Sequence, residues 1–440
     1  MRTWLENKWE TLRTNFWFVP VLMTIIAVLS FFALLRIDQF VGYSFPGLQP
    51  GRIEAVRSLL AVLVGALVTA LTFVFSGTVV VLTLAASQLG PRLLRTYMRD
   101  RSNQILIGVF VAALFYNLTA LFVVGRLAHA EGIPNLAILG SFALSCTALV
   151  ILVYFVHHIS RTIQAPNVIL AVSEELMALI DRIHSKQEDD DRNAAHDEFD
   201  VRMLPERSGT VRAPRSGYLQ AIDQPGLVAK ASEHNCIIKT VRRPGDFVIE
   251  GDVLAEILSS KPVRENLGEE LAPTFMMGSE RTATQDPEFV MLELVEIALR
   301  ALSPGINDPL TANTCIDRLA EALSLLVSYQ PSPTTRYDEQ GHLRLILDET
   351  TFDGLCNTAF NQIRQHASSQ VAVVIHLLEA LAVIMGHART DKQKHALWCQ
   401  AKTLKRAAER MPEPADREDI QKRFEELRSL YQSAQVPEPA

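Results

Sequence analysis

The chain has 440 residues, 48% of them hydrophobic, and a mean hydropathy of +0.14 that is high for a water-soluble protein. Its charge is divided: residues 1–157 carry eleven Lys/Arg against six Asp/Glu, or +5, and the remainder carries 31 against 43, or −12. The acidic remainder argues against a nucleic-acid binder because it repels phosphate. Five scattered cysteines (Cys146, Cys236, Cys315, Cys356, Cys399) with no C-x-x-C pair exclude a disulfide framework and a zinc knuckle, and read as reduced, mostly buried thiols.

At the N-terminus, Trp4, Leu5, Trp9, Leu12 and Phe16 recur at near-helical spacing among Arg2, Lys8 and Arg13, the pattern of a short helix lying in the headgroup layer. Four charge-free apolar runs follow, Phe18 to Leu35, Leu59 to Ala86, Ile105 to Val124 and Leu136 to Val156. Each is long enough to cross a hydrocarbon core of ~30 Å as a helix. The first is read as a retained anchor, since its apolar run is too long for a signal peptide and no small-x-small site precedes Arg36 and Asp38. Arginines and lysines crowd the N-terminus and the second loop (Arg92, Arg95, Arg99, Arg101), which puts both termini in the cytoplasm.

Polar residues thread the membrane half, which is read as one domain, 1–160. Thr72, Ser76, Thr78 and Thr83 lie in the second run, and Asn117 sits alone in the third. Small hydroxyl residues let helices pack closely, and that is the first reading; a polar path through the bilayer is the second. No carboxylate or amine lies inside a run, which weakens the case for proton coupling. His157 and His158 are read as interfacial anchors.

Residues 161–207 read as a helical extension ending in the charge run Lys186 to Arg192, taken as a solvated linker. From 208 to 262 short alternating runs separated by turns (Ser216 to Ile222, Cys236 to Val241, Phe247-Val248, Val253 to Leu258) read as a small β module. The stretch V-R-R-P-G-D-F-V-I-E-G-D-V-L-A-E-I is similar to half of a biotinyl/lipoyl-like barrel-sandwich. Lys230 stands in a helix-like or loop-like context rather than at a hairpin tip, so a packing module with no covalent cofactor is expected. Residues 263–434 read as a helical bundle, and 435–440 as a disordered tail. The expected fold is therefore a four-helix membrane part followed by a cytoplasmic α+β region, barrel-sandwich-like module first and helical bundle second.

Two turn motifs flank one expected helix in that bundle: Arg281-Thr-Ala-Thr-Gln285-Asp286 before it, and Ser303-Pro-Gly-Ile-Asn307-Asp308-Pro309 after it. Asp308 before Pro309 is an N-cap with proline at the first helical position. Arg281, Gln285, Asp286, Asn307 and Asp308 are expected to converge in one polar cluster, either holding the helix pair or binding a small anion or a neighbouring subunit. No G-x-S-x-G, P-loop, H-E-x-x-H or EF-hand pattern appears, so neither catalytic residues nor a metal site is assigned.

The motifs Phe75-Ser-Gly-Thr78, Gln88-Leu-Gly-Pro-Arg92, Arg281 to Asp286 and Ala301-Leu-Ser-Pro-Gly-Ile-Asn-Asp-Pro309 resemble those of the bacterial membrane proteins grouped as domain of unknown function 2254. The resemblance covers nearly the whole chain. It implies a bacterial inner-membrane protein with a cytoplasmic C-terminal region, and supplies no substrate or reaction. Four spans leave little room for a private pathway, so the leading expectation is a homo-oligomeric channel or transport-like protein in the lipid bilayer. The alternative is a membrane-anchored scaffold or sensor that recruits a cytoplasmic partner, and an enzyme ranks third.

Overall fold

The computed structural model describes residues 17–41, 53–90, 101–126, 135–162, 164–191, 204–329, 334–409 and 411–433. The expected N-terminal interfacial helix, most of the arginine-rich second loop and the tail lie outside these residues. The chain divides into two compact units, 1–168 and 169–440.

The described residues of the first unit form four long helices: α1 (Phe18–Val41), α2 (Ile53–Leu89), α3 (Arg101–Arg126) and α4 (Asn135–Thr162). All four are long and apolar enough to cross a bilayer. The long second run is one unbroken helix of 37 residues, about 55 Å at ~1.5 Å per residue, well beyond the hydrocarbon thickness. Helix α3 is the centre of the unit. Buried positions make up 56% of its span against 17% for α1 and α2, and α1, α2 and α4 all pack on it.

Its core shows how. Phe31 of α1 and Tyr116 of α3, both buried, meet edge to face at 5.3 Å. The Tyr116 hydroxyl then donates to Ala137 O of α4 at 3.0 Å. Gly140 allows this, because a side chain there would run into the Tyr116 hydroxyl. At the end of α1, Asp38 accepts from Leu136 N at 3.1 and 3.0 Å and from Ala137 N at 3.2 Å. The last turn of the first span therefore caps the start of the fourth and brings these two ends together, as four alternating spans require.

Helix α5 (Ala165–Asp191) begins in the last residues of the first unit and continues into the second. The charge run expected to break it is instead helical as far as Asp191. Lys, Gln and Glu are good helix formers, and nothing in Lys186-Gln-Glu-Asp-Asp-Asp191 obliges the helix to stop.

The second unit mixes strands and helices. Its strands are β1 (Arg207–Arg212), β2 (Gly217–Ile222), β3 (Ile237–Thr240), β4 (Phe247–Val248), β5 (Val253–Leu258), β6 (Phe275–Gly278), β7 (Thr335–Tyr337) and β8 (Leu343–Ile346). Helix α6 (Gln224–Glu233) joins β2 to β3, and the short α7 (Leu267–Leu271) precedes β6. Among the described residues the strands form two open sheets, β1-β5-β3-β8-β7 and β4-β2-β6, and no closed barrel. The four expected strands are present, without the closed barrel that a barrel-sandwich module would add. One edge of β3 pairs with β5 and the other is taken by β8, which pairs with it in parallel through Ile238 and Leu345.

The β7–β8 hairpin thus brings strands from a stretch expected to be helical. Asp338 at its turn accepts from Arg344 Nε (2.7 Å), Ser232 Oγ (3.1 Å), His342 N (2.9 Å) and Gln340 N (3.0 Å). Arg344 reaches on to Asn235 Oδ1 at 2.9 Å. Burial works to raise the Asp338 carboxyl, but these donors outweigh it and hold it well below the ordinary carboxylate range. The stability this anchor supplies is accordingly present above the usual carboxylate pKa and lost as pH falls through the depressed folded value.

Six helices complete the unit: α8 (Pro287–Ala301), α9 (Pro309–Ser328), α10 (Phe352–His366), α11 (Val371–His387), α12 (Asp391–Ala408) and α13 (Pro414–Ser433). The very apolar α11 is only 17 residues long and is the bundle's core helix, burying Leu377, Leu381 and Ile384 between α9 and α13. Trp398 of α12 stacks on Phe424 and Tyr431, each at 5.1 Å, and so fastens α13.

Candidate functional site

The five polar residues expected to converge are separated by helix α8. With 15 residues it is about 22 Å long at ~1.5 Å per residue, and the two motifs sit at its opposite ends. The single-cluster expectation is corrected to two structural knots.

At the N-terminal knot Asp286 is the N-cap. Its Oδ1 accepts from Phe289 N at 3.0 Å, while Oδ2 takes both Arg281 Nε (2.9 Å) and Nη2 (2.7 Å). Arg281 also lies 5.5 Å over the Phe289 ring. Gln285 pairs with both backbone groups of Ile222, accepting from its N–H at 2.9 Å and donating to its carbonyl at 3.1 Å, so a side chain extends the β2 ladder. Gly245 lies against the pair with φ +102°, and a side chain there would collide with the Asp286 carboxylate. Asp286 is 2% exposed, and burial pushes its carboxyl above the usual carboxylate range against the pull of Arg281.

Helix α5 docks on the same loop. Arg182 donates to Ala283 O (3.3 Å) and Thr284 O (2.8 Å), Asp181 accepts from the Tyr329 hydroxyl at 2.6 Å, and His184 stacks on Tyr329 at 4.4 Å. The loop 281–286 therefore joins α5, β2 and α8. No sequence signal points to Arg182, since its partners are backbone carbonyls a hundred residues away.

At the other end Asp308 caps α9, accepting from Thr311 N at 3.1 Å and Thr311 Oγ1 at 2.6 Å. The Thr311 hydroxyl holds its carboxyl below the ordinary range. Asp308 N closes back on Ala301 O at 2.8 Å. Asn307, at φ +51°, accepts from Gln370 at 2.9 Å. The loop so fixed leaves Ile306 and Leu310 exposed.

Within the first unit, Thr72 and Ser76 are exposed on α2, as is Thr83, whereas Thr78 is buried. Thr72, Thr78 and Thr83 each return a hydroxyl hydrogen bond to the carbonyl four residues back, at 2.9, 2.6 and 2.8 Å. Asn117 is remote in role from these: it is fully buried and faces Ser145 of α4.

Among the described residues, Glu233, His234 and Glu270 are grouped closely enough to share a metal ion, but the Lys230 ammonium already stands 2.7 Å from Glu270 and supplies a positive charge there. Cys236, Cys315 and Cys356 are buried free thiols, Cys399 is half-buried and Cys146 exposed. Burial pushes the Cys315 thiol up to about 12, which removes it from thiolate chemistry at neutral pH.

Residues 13–383 match the family described as "Predicted membrane protein (DUF2254)". The chain is 31% identical over 372 residues to "Uncharacterized protein Rv1290c" of Mycobacterium tuberculosis (strain ATCC 25618 / H37Rv), covering 82% of this chain and 70% of the relative. "Uncharacterized protein Mb1321c" of Mycobacterium bovis matches to the same extent. No solved structure matches. With four membrane-capable helices and a match that runs from the first span into the helical bundle, the chain belongs to the DUF2254 family of predicted membrane proteins.

Proposed function

We propose that the protein is a homo-oligomeric channel or transport-like protein of the bacterial inner membrane, with both termini in the cytoplasm and the α+β unit serving assembly. One observation carries this reading. Helix α2 buries Val56, Leu60, Leu67 and Val74 along one side and exposes Thr69, Thr72, Ser76 and Thr83 along another. The threonine hydroxyl hydrogens are spent within the helix, which leaves small side chains with a free acceptor lone pair on the outside. Such a face favours close approach of another helix over contact with lipid tails. Copies meeting through it would line a shared hydroxyl-bearing path that no single four-helix unit can enclose.

Purified protein in proteoliposomes should pass small ions or solutes, and Thr72→Leu/Ser76→Leu should reduce that flux at least several-fold with the fold retained. A monomeric, flux-silent preparation would remove this reading. It would leave the membrane-anchored scaffold or sensor, which Ile306 and Leu310 favour as apolar side chains held outward on a capped loop.

A further inference from the structure

The contact between α3 and α4 contains polar groups that the protein does not satisfy. Asn117 lies in the middle of the α3 span and is fully buried. Its Nδ2 donates to Ala113 O at 2.8 Å and to Ser145 Oγ at 3.1 Å, and Ser145 Oγ donates in turn to Ser141 O at 2.8 Å. This chain fixes the amide orientation, because Ala113 O can only receive a donor. Asn117 Oδ1 is then a buried acceptor with no hydrogen-bond partner in the protein.

Ser141 Oγ, also fully buried, has no partner either. Other hydroxyls in the spans bond the carbonyl one turn back, as Thr24 does to Pro20 O, Thr119 to Phe115 O and Thr147 to Ala143 O. For Ser141 that carbonyl is Ala137 O, which already takes the Tyr116 hydroxyl at 3.0 Å beside its place in the helix ladder. Asn117 bonds Ser145, which lies one turn of α4 beyond Ser141, so a bare acceptor and a bare hydroxyl both belong to this α3–α4 contact. Both atoms are buried within the protein, and leaving both unpaired is costly.

We infer that a single water molecule is bound between α3 and α4, donating to Asn117 Oδ1 and accepting from Ser141 Oγ–H. Water rather than a metal cation fits, since the two orphaned oxygens are neutral and no carboxylate stands with them; hard cations gather six or more oxygen ligands, usually with negative charge among them. Asn117 therefore belongs to the interior of one copy, and this inference does not depend on how copies assemble.

The test uses the full chain in lipid bilayers, observed by water-edited solid-state NMR with the Asn117 side-chain amide as the probe. Magnetisation should pass from water to that amide at mixing times that leave Ala113 and Ala120 silent, and Ser141→Val, which replaces the hydroxyl with methyl groups, should abolish it. Ser141→Ala should lower the thermal unfolding midpoint in detergent, because it strips the water of a partner. Absence of water transfer to Asn117 overturns the inference, as does a raised midpoint in Ser141→Ala, which is what removing a bare buried hydroxyl would give. A shift of the Asn117 resonance on titration with sodium would also overturn it, in favour of an ion.

Discussion

Asp38→Ala is expected to destabilise the membrane unit by about 2 kcal/mol, the upper part of the range for loss of a helix cap. The first N–H groups of α4 have no partner within their own helix. Here they are met by a carboxylate from another helix, at 3.0 to 3.2 Å, and its charge lies at the positive end of the α4 dipole. The alanine variant loses the acceptor and the charge together. Asp38→Asn keeps an acceptor oxygen and should lose roughly half as much. Thermal or denaturant unfolding of the detergent-solubilised protein reads both, and a loss below about 0.5 kcal/mol for Asp38→Ala would show that Leu136 and Ala137 N–H find other partners.

The larger effect belongs to Arg281→Ala, expected to cost on the order of 3 kcal/mol, because it leaves a buried carboxylate facing no cation. The figure sits at the low end for a buried pair because the Arg281 side chain retains 23% exposure while that of Asp286 retains 3%. Adding Asp286→Asn should recover most of the loss, since a neutral amide still caps Phe289 N and needs no counter-charge. The pH dependence has a definite sign. With its carboxyl raised in the folded state, Asp286 contributes stability that is full below the unfolded pKa of about 4 and is lost as pH rises through the folded value. Asp286→Asn should remove that slope. Unfolding curves from about pH 4 to pH 8 for the two single variants and the double variant check this; a double variant no better than Arg281→Ala would mean that Arg281 acts through packing on the Phe289 ring rather than through its charge.

The four spans were legible because nothing but lipid or a protein core tolerates runs of that length without a charge, and the strands from 217 to 258 because their alternation is local. Two features were legible but unread. Asp286-Pro287 repeats the cap-and-proline signature of Asp308-Pro309, and Leu343 and Leu345 alternate beyond the Gly341 turn as a strand should. Others carried no local signal. Asp38 finds its partners 98 and 99 residues away, Arg182 finds backbone carbonyls, and β8 pairs in parallel with a strand more than a hundred residues earlier. The one-cluster expectation for the site failed for a simple reason of length: motifs at the two ends of a 15-residue helix cannot meet.

The claim that copies meet through the hydroxyl face of α2 is tested most directly by single-cysteine cross-linking in native membranes. Cys146, exposed on α4, and the half-buried Cys399 must first be replaced by serine, the three remaining thiols being buried. In that background Thr72→Cys and Ser76→Cys should form disulfide-linked dimers under mild oxidation, and Leu60→Cys and Leu67→Cys, which face α3 and its neighbours within one copy, should not. Failure of Thr69→Cys, Thr72→Cys and Ser76→Cys alike to cross-link, in membranes where the protein is folded, would contradict the shared path.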